Sequence, residues 1–190
     1  MDSTNRKTMR LLDRVLIGIL VLLAMLLAGL QAARAGEIVP SVGFARSTSD
    51  AGSVRPFGAL ALRGSILPMV KSEIAVAYRN ERYNGGDLNV KMWPVTASLW
   101  LAPPMFYVGG GAGYYHTTFD YREGLGIADE THRQFGTHLG GGVGMPLVPG
   151  IASLDLHARY VHLRERDSLL SPGRVTQSFF TTQLGVAIKF

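Results

Sequence analysis

The sequence predicts an all-β protein: an eight-stranded, antiparallel, closed transmembrane β-barrel over residues 36–190. Three observations carry this. The last residues, Ser178 to Phe190, alternate with a period of two: Phe180, Thr182, Leu184, Val186, Ile188 and Phe190 share one face, and Phe179, Thr181, Gln183, Gly185, Ala187 and Lys189 the other. Seven earlier segments show the same alternation. The non-apolar face is rich in glycine, alanine, serine and threonine with few lysines or glutamates, which suits a packed interior better than a water-facing exterior.

The 190 residues begin with a basic stretch (Arg6, Lys7, Arg10, Arg14), the apolar run Val15 to Leu30 and the small-residue site Ala33-Arg34-Ala35. This reads as a cleavable signal peptide, residues 1–35, cut before Gly36; the alternative is a retained anchor. The five basic residues of that segment less Asp2 and Asp13 carry +3 of the net +5, leaving +2 on residues 36–190 with no clustered basic face. Nucleic acid is therefore not an expected partner. With no cysteine in the chain, disulfides and thiolate chemistry are excluded.

The segments follow in order, with polar residues between the first and second (Ser49 to Arg55). About Glu37 to Ser47, Ile38, Val42 and Phe44 oppose Val39, Ser41, Gly43 and Ala45; about Phe57 to Leu67, Leu60, Leu62 and Ile66 oppose Ala59, Ala61, Arg63 and Ser65. Val70 to Arg82 sets Val70, Ile74, Val76 and Tyr78 against Lys71, Glu73, Ala75, Ala77, Arg79 and Glu81. In the fourth, Leu88 to Leu101, the apolar parity changes near Pro94, which suggests a bulge. Phe106 to Tyr121 and Arg133 to Met145 carry glycine runs on their inner faces. A hairpin about 122–131 would set Gly109 opposite Gly144, Gly111 opposite Gly142 and Gly113 opposite Gly140, leaving a bald patch for Trp100 or Arg159 from across the lumen. Neither run is a phosphate loop, because no helix follows. Ile151 to Leu163 is the seventh segment, and 164–174 a loop before the closing strand.

Connections after the odd segments are polar and those after the even ones short, apolar and proline-bearing, the asymmetry of outer loops and periplasmic turns. The inward face then carries a lumen polar network of Arg63, Lys71, Glu73, Arg79, Glu81, His138, Asp155, His157, Arg159 and Lys189, with Gln183 beside it. In a narrow barrel such charges pair across the interior. Outward aromatics at Tyr78, Trp93, Phe135, Tyr160, Phe180 and Phe190 suit interfacial girdles.

The signal-like segment, the eight alternating segments, the runs Pro94-Val95-Thr96-Ala97-Ser98-Leu99-Trp100-Leu101 and Tyr107-Val108-Gly109-Gly110-Gly111-Ala112-Gly113-Tyr114, and the terminal Phe190 together resemble the OmpA/OmpX-like outer-membrane β-barrel domain family. The resemblance implies a monomer exported to the outer membrane of a Gram-negative bacterium, in contact with outer-membrane lipid. It also implies that the barrel-insertion machinery reads Phe190, and that any surface ligand meets the outer loops.

The expected role is structural or surface-interacting and porin-like only in architecture, with no cofactor, no metal and no catalysis. A second reading is a narrow pore for ions or small solutes, and a third a surface lipid hydrolase. Against the third, Ser153, Asp155 and His157 share a strand face, but neighbours two apart lie about 7 Å from one another, too far for a serine–histidine contact. The chain also has His162-Leu163-Arg164 where the outer-membrane lipid A deacylases carry a His-x-Ser pair. His116, His132 and His162 fall near the predicted rims, where ordinary solvated histidines are expected.

Overall fold

A computed structural model describes residues 36–48, 54–83, 88–121, 130–163, 166–168, 171–175 and 178–190. The predicted signal peptide, 1–35, and the predicted loop tips 49–53, 84–87 and 122–129 lie outside the described residues.

The described chain forms β1 (Gly36–Ser47), β2 (Val54–Leu67), β3 (Val70–Tyr83), β4 (Leu88–Leu101), β5 (Phe106–Tyr121), β6 (Glu130–Val148), β7 (Ala152–Leu163), β8 (Arg166–Ser168), β9 (Ser171–Val175) and β10 (Phe179–Lys189). Eight of these, β1 to β7 and β10, pair antiparallel into a closed barrel, with β10 hydrogen-bonded to both β7 and β1. Closure removes the two sheet edges that would otherwise expose unpaired backbone groups to lipid. The ends meet directly: Gly36 N donates to Phe190 O at 3.2 Å and Phe190 N to Gly36 O at 3.0 Å. They share the barrel end that carries the short turns, here called the periplasmic end. The stretch 164–174, expected as a plain loop, holds the small β8–β9 ribbon, paired Arg166 to Val175 and Asp167 to Arg174.

Two sequence expectations need correction. There is no bulge at Pro94. Residue pairs on either side of it, Val76 with Val95 and Arg79 with Met92, keep one register, and Val90 and Met92 point inward on the same face as Thr96, Ser98 and Trp100. The apolar parity changes because the lumen itself changes, from polar near the periplasm to apolar near the outer end. The glycine strands also pair differently. Gly109 faces Gly140, Gly111 faces His138, Gly113 faces Gly136 and Tyr107 faces Gly142. The pairing differs from the expected one by four residues, an even number, so every side chain keeps its predicted face.

Outside, the barrel is apolar. Toward the outer end, ring pairs pack at 4.4 Å (Tyr78 and Trp93) and 4.8 Å (Tyr160 and Phe180), both tilted, and edge-on at 5.7 Å (Tyr114 and Phe135), between ring centroids. Toward the periplasmic end Phe106 and Phe190 are exposed among Leu67, Met69, Leu101, Met105 and Ile151. From Trp93 to Leu101 is eight residue steps (101 − 93), about 26 Å along the strand and about 20 Å along the membrane normal at a tilt of about 40°. That approaches the height of about 25 Å typical of an outer-membrane apolar band.

Met105, in the turn between β4 and β5, has φ of 80°. A side chain is strained in this left-handed region, whereas glycine is not. Its side chain is 74% exposed, so little packing opposes removal. Met105→Gly is expected to leave the fold unchanged and to raise stability by about 0.5–1 kcal/mol in urea unfolding from lipid vesicles.

Candidate functional site

The lumen is built in two layers. The lower, nearer the periplasm, is charged. Arg63 on β2 reaches its cross-strand neighbour Glu73 on β3 (Nε to Oε2, 2.6 Å) and Asp155 on β7 across the barrel (Nη1 to Oδ2, 2.6 Å). Glu73 also accepts from Arg159 Nη2 at 2.8 Å. Two guanidiniums and two carboxylates thus balance, each carboxylate accepting from more than one donor, as buried charges require.

Neutral groups complete this layer. Tyr107 donates to Asp155 Oδ1 at 2.8 Å and meets His157 Nδ1 at 2.7 Å. Arg159 Nε donates to His157 Nε2 at 3.4 Å, which makes Nδ1 the protonated nitrogen and a donor to the Tyr107 oxygen. The chain of donors therefore runs from Arg159 through His157 and Tyr107 to Asp155. His138 Nε2 lies 2.9 Å from Ser98 Oγ.

The glycines explain how these groups fit. Trp100 is 1% exposed and directly opposite Gly109; Arg159 is directly opposite Gly140. A Cβ on Gly109 would run into the backbone of Leu99 and Trp100, and one on Gly142 would lie 2.5 Å from the Tyr107 hydroxyl. The bald wall of β5 and β6 is therefore covered by large residues from its flanking strands, not from across the lumen as expected. Arg159 sits 5.4 Å above the Trp100 ring, and His157 packs edge-on to that ring at 5.1 Å.

The upper layer is an apolar plug of Ala45, Met92, Tyr115, Val161, Leu163 and Phe179, with Phe57 against it. Arg79 belongs to this level, its guanidinium 4.2 Å over the Phe179 ring. Between the layers is a cavity of about 50 Å³, and below the charged layer a periplasmic vestibule of about 270 Å³.

Of the residues anticipated for the lumen network, Arg63, Glu73, His138, Asp155, His157 and Arg159 lie together. Arg79 is in the lumen but in the plug. Lys71 is at the vestibule, paired with Glu37 at 2.9 Å, and Lys189 is exposed at the same rim. The Glu81 side chain lies outside what is described. Tyr107, Ser98 and Glu37 were not anticipated as members, although their strand parity had put Tyr107 and Ser98 on the inner face. His116, His132 and His162 are dispersed. His132 packs on Phe119 and His162 approaches Ser178, and among the described residues no group of His, Asp and Glu is arranged to hold a metal.

A closed, eight-stranded antiparallel barrel with a lipid-compatible exterior and a packed lumen is the architecture of the outer-membrane barrels, and solved structures match it. Ail, the attachment invasion locus protein of Yersinia pestis, aligns over 82% of this chain and 98% of its own at 18% identity and a TM-score of 0.54. Neisserial surface protein A aligns over 82% and 97% at 15% identity and 0.55. A major outer membrane protein of Thermus thermophilus aligns over 82% and 99% at 15% identity and 0.55. No protein-family profile and no curated protein matches the chain. The fold is that of the OmpA/OmpX-like outer-membrane β-barrels.

Proposed function

We propose that the protein is a closed barrel of a Gram-negative outer membrane, delivered there after export on its first 35 residues. In this reading it works as a structural or surface-interaction protein, not as a channel or an enzyme. The two-layer lumen carries the proposal. A solute entering from the periplasm meets Trp100 and the hydrogen-bonded charge cluster, and beyond them a plug of Met92, Tyr115, Leu163 and Phe179 with Arg79 packed on it. In this reading the Ser153–Asp155–His157 face is structural, with Asp155 and His157 engaged with Arg63, Tyr107 and Arg159.

Partners are assigned to the outer loops. Ail has been solved in complex with the heparin analogue sucrose octasulfate, which supports a ligand-binding surface on a barrel of this shape. The protein is expected to run faster on a detergent gel unheated than boiled, and to give no steady current in a planar bilayer. Loss of the mobility shift would reject the membrane barrel; a reproducible unitary conductance would restore the pore reading.

A further inference from the structure

The outer wall carries a recess that the closed lumen does not explain. On β10, β1, β2 and β3, facing outward, one row runs Leu184, Val42, Gly58, Tyr78 and the row above it Thr182, Phe44, Pro56, with Asn80 two residues beyond Tyr78. Gly58 has no side chain between its two neighbours, and a Cβ there would find only Ser41 O, at 4.0 Å. The result is a groove of about 940 Å³ with Phe44 and Tyr78 among its walls. It begins at the level of the Tyr78–Trp93 and Tyr160–Phe180 pairs and continues below them, within the apolar band.

Two residues above Phe44 on the same face stands Arg46, exposed and opposite Phe180. No ion pair among the described residues engages it. A cation with no ion-pair partner among the described residues, above a mostly apolar groove that opens outward, complements a molecule with an anionic head and an acyl tail. We infer that this groove docks a phosphate-bearing lipid of the outer leaflet, its acyl chain lying over Gly58 and its phosphate at Arg46. The inference rests on the reading of the chain as an outer-membrane barrel. Lipid is the occupant, because the recess opens into the bilayer, where protein partners are scarce, and because one arginine at the headgroup level adds about 1 kcal/mol toward an anionic headgroup, about fivefold in affinity.

The test is native mass spectrometry of the membrane-extracted protein offered diphosphoryl lipid A, its dephosphorylated form and inorganic phosphate alone. Wild type should retain one phosphorylated lipid in preference to the dephosphorylated one. Gly58→Phe fills the groove without a backbone clash and should lower retention of both lipids at least about fivefold, while Arg46→Gln should keep the lipid and lose the preference for phosphate. A heat-dependent gel shift in each variant shows that the barrel has formed, so loss of that shift would count against the barrel and not against the groove. Retention unchanged in Gly58→Phe would overturn the inference. So would equal retention of the two lipids by wild type, an adduct with inorganic phosphate alone, or a dimer that Gly58→Phe disperses, which would assign the groove to a second copy.

Discussion

Replacing Arg63 by alanine is expected to destabilise the barrel by about 3–5 kcal/mol, measured by urea unfolding in phospholipid vesicles. The cause is what the arginine leaves behind. Glu73 keeps Arg159, but Asp155 retains only the Tyr107 hydroxyl and no cation among its described partners. A buried carboxylate with no counter-charge costs more than the lost contact is worth. Arg63→Ala combined with Asp155→Asn restores the balance, and the pair should lie well above the sum of the single effects, by about 1–3 kcal/mol. Additive effects would mean that the two residues are not coupled through the lumen.

Trp100→Ala should cost a similar amount, about 3–5 kcal/mol, for a different reason. The indole is packed between Tyr107, His138 and His157 and under Arg159, over glycines that cannot close the gap. The void cannot collapse, so the full cavity cost applies. The variant also enlarges the periplasmic vestibule toward the centre of the barrel. Conductance should nevertheless stay absent, because Met92, Tyr115, Leu163 and Phe179 still block the outer half. Current through Trp100→Ala alone would show that the plug is not a seal.

The period-two pattern made the barrel and its two faces legible, down to the inward placement of Arg63, Glu73 and Asp155. It left register undetermined, because alternation repeats every two residues and cannot separate a pairing of Gly109 with Gly144 from one with Gly140. Nothing in the alternation of β5 or β6 by itself makes that choice. The parity change at Pro94 was visible but misassigned: an apolar residue on an inner face looks like an outer one until the lumen is known to change character along its axis. Tyr107 was legible as inward but not as a hub, since a phenol surrounded by glycines gives no sign of which charges will reach it.

The charged layer draws Arg63 from β2, Glu73 from β3, Tyr107 from β5 and Asp155, His157 and Arg159 from β7, members that are as many as 96 positions apart (159 − 63). The β2–β3 hairpin can bring Arg63 to Glu73, yet Asp155 and Arg159 find their ion-pair partners only when β7 comes round to β2 and β3. A partly assembled sheet entering lipid would carry unmatched charge on its concave side, so such intermediates are disfavoured. The cluster therefore ties membrane entry to closure, and folding should proceed as one concerted event, with no stable open sheet along the way.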